Sequence, residues 1–364
     1  MSWLTFPLLV ALMTPPAAEP APRPLPRAPL RIDSPLTHVS AARELADGRV
    51  LITNAKEPAL LVLDPSTGTL ARLGEAGAGG LRYAQPGGLY AGPQGSTLLL
   101  DRGQKRVITI SAGGELQDSR SVAVRGRRSA SDADVDHQRP DARGFVYFVD
   151  GRGGVVGREA TLVRFDPDTA KMEPITKLLK PEVRTLPGGD GVVFGRTVIG
   201  SPADGWGVAP DGRVAVVRAV PYRVDWHAPD GKVTQGPAIP TDPLPMTAAD
   251  RQAFIDAAGP GVSVGRTGGQ PTNLAKLGTL FADTKPPFTP EGVLVSPDAR
   301  AWVLRTRAHE ATAVIYDVFD ASGRRVDRIE LPDDSRIVGF GRNAVLVRWT
   351  GDAGRCELRR YRLR

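Results

Sequence analysis

The chain has 364 residues, with 47 Lys and Arg against 40 Asp and Glu and a net charge of +7. Its 41 Gly and 33 Pro make up about a fifth of the residues, above ordinary usage but short of the range for low-complexity disorder. A chain of this length with 41% apolar residues can bury a sizeable core, so collagen, coiled coil and bulk disorder are excluded and a turn-rich globular protein remains.

Only eight of the cations are Lys. An arginine bias of this size fits GC-rich codon usage, and it also supplies many bidentate partners for carboxylate or phosphate. The single cysteine, Cys356, excludes an intramolecular disulfide and any CxxC zinc site.

In chain order, Leu4 to Met13 (LTFPLLVALM) is an apolar run of the length of a signal-peptide core, far short of the roughly 20 residues of a membrane span. It predicts an export signal over residues 1–18, no membrane span, and a periplasmic or secreted location. No Lys or Arg precedes the run, and no Cys stands nearby to carry a lipid. Residues 19–29 (EPAPRPLPRAP) read as an extended proline-rich spacer. The folded part is expected over residues 30–364.

A strand, a tight turn and a second strand then recur six times, as in ARELADGRVLIT (42–53), WGVAPDGRVAVV (206–217) and VLVSPDARAWVL (293–304). Asp-Gly pairs such as Asp47-Gly48 and Asp211-Gly212 supply the positive φ that tight hairpin turns require. A second hairpin follows each first one, as in PALLVLDPSTGTL (58–70) and YRVDWHAPDGKV (222–233). In the sixth copy it is cut short at CELRRYRL (356–363). Each unit is therefore four antiparallel strands, and the last lacks one. LRIDSPL (30–36) is its natural donor. An all-β, six-bladed β-propeller closed by an N-terminal strand is the expected fold, because radial closure removes most open sheet edges. A pair of β-sandwiches is the competing arrangement.

Two long connections interrupt the repeat, 179–204 between blades three and four and 240–287 between blades four and five. The second carries a helix signal. Thr247 is placed to cap TAADRQAFIDAAG, with Asp250 three residues on and Gly259 as a stop. Phe254, Ile255 and Ala258 would share one side of this short helical insertion, which is expected to act as a brace rather than a lid.

The segment AQPGGLYAGPQGSTLLLDRGQKRVITISAGGEL (84–116) resembles an NHL-type repeat: a Pro-Gly entry, a hairpin, an Asp ending the second strand, then a basic residue before a third strand. From about Leu30 onward the chain is similar to the six-bladed β-propeller superfamily that includes NHL, TolB-like and gluconolactonase-like members. That resemblance implies a fold. Members bind proteins, peptides, glycans or RNA, and some are hydrolases or lyases, so fold does not decide function.

In a four-stranded blade the tight hairpin turns lie on one face. The second-to-third-strand loops, the inter-blade connections and hence both insertions share the other. Function concentrates on variable loops, so the insertion-bearing face is the candidate. Arg102, Arg106, Arg152, Arg218 and Arg307 lie in or beside its loops and would attract an anion if they converge. Asp134, Asp204 and Glu291 lie near the starts of innermost strands, which propeller geometry aims at the channel. Asp132, Asp134 and Asp136 have the D-x-D-x-D spacing of a calcium loop, yet His137 stands where that loop needs Gly and Arg143 where it needs Glu. No cofactor is expected, with a divalent cation such as Ca²⁺ held by carboxylates of several blades as the alternative.

Catalytic motifs fail. Gly261-Val262-Ser263-Val264-Gly265 fits G-x-S-x-G in letters, but it follows a helix where a nucleophile elbow needs a strand. The four histidines, His38, His137, His227 and His309, are scattered over different units. The expected function is non-catalytic binding of a protein segment, an anionic small molecule or a glycan. A metal-dependent lactonase, hydrolase or lyase at the channel mouth is the alternative. Nucleic acid would suit the charge but not an exported protein.

Overall fold

The computed structural model describes residues 20–25, 30–54, 56–123, 138–150, 157–187, 193–258, 280–351 and 356–363. The expected export signal, part of the spacer, Asp134, Arg152 and the G-x-S-x-G segment lie outside these residues.

Among the described residues the chain is nearly all β with one α-helix. After β1 (Arg23–Pro24) and β2 (Leu30–Leu36) come β3 (Ala41–Glu44), β4 (Val50–Asn54), β5 (Ala59–Asp64) and β6 (Thr69–Arg72). The next antiparallel sheet is β7 (Pro86–Ala91), β8 (Thr97–Asp101), β9 (Arg106–Ile110) and β10 (Leu116–Ser121). It is followed by β11 (Arg139–Pro140), β12 (Val146–Asp150), β13 (Glu159–Asp166) and β14 (Lys171–Leu179), then by the hairpin β15 (Val183–Pro187) and β16 (Val193–Thr197). The sheet β17 (Gly205–Val208), β18 (Val214–Ala219), β19 (Tyr222–His227) and β20 (Val233–Gln235) leads into β21 (Leu244–Pro245), α1 (Ala248–Ala258) and β22 (Thr284–Lys285). Then come β23 (Phe288–Val295), β24 (Ala301–Arg305), β25 (Ala313–Phe319) and β26 (Arg325–Pro332), with β1 added in parallel at the β26 edge. Last are β27 (Ser335–Gly341), β28 (Ala344–Thr350) and β29 (Cys356–Arg362).

The turns explain why the hairpins form where they do. In Asp47-Gly48-Arg49 the glycine takes φ +90, and the Arg49 amide donates to Asp47 Oδ1 at 3.0 Å while its Nε donates to Asp47 Oδ2 at 2.7 Å. Asp211-Gly212-Arg213 repeats the pattern at 3.0 and 2.8 Å. The aspartate thus satisfies the turn backbone and fixes the arginine that follows it.

Strand interiors such as β8 (TLLLD) and β4 (VLITN) are buried along their whole length. Sheets covered on both faces read in this way. Five of the large hydrophobic clusters join two neighbouring sheets, and the sixth joins the two halves of one eight-stranded sheet. Leu51 and Leu60 meet Leu99 and Ile108; Leu100 and Val107 meet Phe148 and Phe165; Tyr147 and Leu162 meet Trp206 and Val216. Val217 and Val224 meet Val293 and Val303; Trp302 and Tyr316 meet Val345 and Val347; Ile52 and Leu63 meet Leu346 and Leu358. Each fully buried side chain of this size stabilises the fold by about 1.5–3 kcal/mol. The sheets form a propeller-like ring, with four separate four-stranded antiparallel units among the described residues. In the remaining eight-stranded sheet, β2 pairs antiparallel with β29, and β27 pairs parallel with β3 through Gly339↔Ala42 and Phe340↔Arg43.

The two long connections pack on each other. Ile199 bridges Phe281, its amide donating to the Leu280 carbonyl at 2.6 Å, and Met246 joins the same small cluster. Helix α1 starts with reciprocal capping: Thr247 Oγ1 donates to Asp250 Oδ2 at 2.8 Å, and the Asp250 amide donates to Thr247 Oγ1 at 3.2 Å. Lys285 Nζ donates to Asp250 Oδ1 at 2.6 Å and to the Arg307 carbonyl at 2.9 Å. These bonds tie the helix to the β22 strand and the β24–β25 loop.

Candidate anion-binding site

A cavity of about 570 Å³ lies at the centre, lined by residues of β3, β7, β11, β23 and β27 and by Val208 at the end of β17. Its charged lining is Arg43, Arg102, Arg139 and Glu291. Arg43 stands on β3 and donates from Nε to Thr97 Oγ1 at 3.1 Å. Burial pushes its guanidinium below the ordinary value, as expected for a cation partly removed from water. Arg139 opens β11. Its Nη1 donates to the Trp206 and Val293 carbonyls, the latter at 3.1 Å, and its guanidinium lies 4.7 Å from the Trp206 ring. Burial lowers its pKa as well, opposed by Tyr90 and Glu291.

Arg102 comes from the β8–β9 loop and leans over β7, where a Cβ on Gly87 would stand 2.8 Å from its Nε. Glycine at 87 therefore leaves room for the guanidinium. Tyr90, also on the wall, donates its hydroxyl to the Gln138 carbonyl at 3.3 Å, and burial pushes its pKa up, so it stays neutral. Glu291 is exposed, and with Arg139 it also lines an adjoining cavity of about 220 Å³ beside Asp204 and Trp206.

Among the described residues neither Arg43 nor Arg139 forms an ion pair. The charged lining thus comprises three arginines, on or beside three sheets, and one carboxylate, of which Arg139 feels the Glu291 charge. A cavity of this kind presents planar N–H donors to an anion at a reduced local dielectric, where each charge-assisted bond is stronger than in water.

The other sequence candidates are engaged elsewhere. Arg106 Nη1 donates to the Gly80 carbonyl at 2.6 Å and its Nη2 to the Arg82 carbonyl. Arg218 donates to Asp204 Oδ2 at 2.9 Å, Asp225 Oδ2 at 3.1 Å and the Lys177 carbonyl at 2.6 Å. Asp204 also accepts from the Leu179 and Ala219 amides at 3.0 Å each. It therefore staples β14 to β18 and does not line the central cavity. Arg307 donates to Asp333 Oδ1 at 2.5 Å and the Ala311 carbonyl at 3.0 Å. Of the sequence candidates, Arg102 and Glu291 reach the central cavity.

His38 lies 3.5 Å from Arg348 rather than in the cavity, and His227 is buried in β19. Among the described residues no group of three or more His, Cys, Asp or Glu is placed to hold a metal ion. Sequence reasoning missed Arg43 and Arg139. The available signal was a lone arginine inside the first strand of a repeat, where alternation otherwise places small or apolar residues.

No family model matches the chain, and no curated protein matches it. Solved structures do. A candidate exported protein of Bacteroides fragilis superposes with a TM-score of 0.50 at 10% identity, over 96% of this chain and 98% of its own. A calcium-binding protein, regucalcin, from Agrobacterium tumefaciens gives 0.44 at 13% identity over 94% and 96%. A streptogramin B lyase gives 0.41 at 11% over 93% and 97%. These neighbours are β-propeller-type proteins, and at such identities the likeness concerns the fold alone. Among the described residues no helix is long and apolar enough to cross a membrane.

Proposed function

We propose that this chain is an exported six-bladed β-propeller that binds a small organic anion in its central cavity and performs no chemistry on it. The five clusters between sheets, the sixth between the two halves of the eight-stranded sheet, and the β2–β29 pairing support the count of blades and their closure by the N-terminal strand. The apolar run Leu4–Met13 supports export. One observation carries the binding reading: Arg43, Arg102 and Arg139, from three different sheets, line one cavity with a single carboxylate, Glu291. Entry of the ligand from the insertion-bearing face is supported by Glu291 and Arg139, which also line the adjoining cavity together with Lys180 and Pro181 of the first long connection.

Calorimetric titration with citrate and with glucuronate, using glucose as the neutral control, tests this. Both anions should bind and glucose should not, with affinity falling as salt is added. Arg43→Gln should weaken anion binding about tenfold or more, the scale of one charge-assisted hydrogen bond. Equal binding of glucose and glucuronate would overturn the reading. So would a stoichiometric divalent cation lost on changing Glu291, which would point to metal-dependent catalysis instead.

A further inference from the structure

A second cavity, of about 250 Å³, lies between helix α1 and the β23–β25 sheet. One wall is apolar: Met246, Phe254, Phe281, Leu304 and Val314. Phe254 stands edge-on to Phe281, with ring centroids 5.8 Å apart, and is 43% exposed although it is the largest apolar side chain of the helix. The lining also carries Lys285, Arg305, Arg307 and Arg336 with one acid, Asp250.

Three of these cations have carboxylate partners. Lys285 holds Asp250 and Arg307 holds Asp333. Arg305 lies 3.5 Å from Asp317, which also pairs with Arg325 and Arg328. Arg336 differs. Its Nη1 donates to the Ser335 carbonyl at 2.8 Å, and it forms no ion pair among the described residues. The cavity therefore joins a guanidinium without an ion pair, whose charge is felt by Asp333, to apolar residues that include a half-exposed phenylalanine.

We infer that this cavity is a second ligand site, for a small amphiphilic carboxylate whose head meets Arg336 and whose apolar tail lies between Phe254 and Leu304. The volume holds a body of about ten non-hydrogen atoms, at the small end of ligand pockets. Inorganic anions lack the tail and neutral amphiphiles lack the charge, so both parts are needed. The helix then acts as the wall of a site as well as a strut. This site shares no lining residue with the central cavity.

Calorimetry with octanoate as the probe tests the inference, alongside octanol and inorganic phosphate. Octanoate should bind at least about tenfold more tightly than either control. Arg336→Gln should weaken it about tenfold or more, and Arg336→Lys less. Phe254→Ser, checked by an unaltered melting temperature, should weaken it several-fold by loss of apolar contact. Arg43→Gln should leave octanoate binding unchanged, which separates this site from the central one. Absence of octanoate binding, octanol binding as tightly, or affinity unaltered in both Arg336→Gln and Phe254→Ser would overturn it.

Discussion

Gly339 on β27 faces Ala42 on β3 across the parallel seam between the end and the beginning of the chain, so close that a Cβ at 339 would collide with the Ala42 carbonyl oxygen. The obstacle is backbone, which cannot swing aside as a flexible side chain can. Gly339→Ala should therefore destabilise the protein by about 1–3 kcal/mol or more, read as a lower urea midpoint at unchanged slope. A midpoint like that of the unaltered protein would show that the seam opens without cost.

Asp317, fully buried on β25, accepts from Tyr222 Oη at 2.9 Å, Arg325 Nη1 at 3.2 Å and Arg328 Nε at 3.2 Å. Asp317→Asn leaves several cations without their counter-charge. The expected loss is about 3–5 kcal/mol, as for other buried pairs broken on one side. Replacing Tyr222 by Phe removes a hydrogen bond without stranding a charge and should cost only about 1 kcal/mol. Denaturation of the two variants side by side gives the ordering, and the reverse order would refute the assignment.

Glu173 and His227 both contribute to the acid limb of stability, beside Asp47, Asp64, Asp166, Asp250, Asp333 and His38, which are also held below their ordinary values. The Lys171 ammonium and the Arg164 guanidinium hold Glu173 down to about 2. Its ion pairs thus contribute above the ordinary carboxylate pKa and are lost as pH falls toward about 2. Burial, then the Arg218 charge, pushes His227 below its ordinary value. The unfolded chain accordingly takes up a proton first, and stability declines as pH drops below about 6.5. Thermal melts between pH 8 and pH 3 should show two declines. Glu173→Gln should lessen the lower one, and His227→Gln the upper.

Thr247 caps helix α1 reciprocally with Asp250, which Lys285 also holds. Thr247→Ala should cost about 0.5–2 kcal/mol, and the loss should appear first as faster amide exchange over residues 248–258. Exchange there as slow as before would mean that packing on Phe281, not the cap, holds the helix.

The local pieces were legible in the sequence because their causes are local. Asp47-Gly48-Arg49 and Asp211-Gly212-Arg213 write their own turns through positive φ and an aspartate that binds the next amide but one. The Thr247 and Asp250 spacing writes a helix start. The site was legible only in part, at Arg102 and Glu291. Arg106, Arg218 and Arg307 have the same residue type and similar loop positions, yet they are spent on carbonyls and on Asp204, Asp225 and Asp333.

Residue type and chain position thus determined the hairpins, their turns and the cap, since each depends on atoms a few residues apart. Which arginines line the central cavity was decided only when the sheets packed. Arg43, Arg102 and Arg139 share that lining because their sheets meet around one cavity, and no spacing along the chain encodes a distance across it.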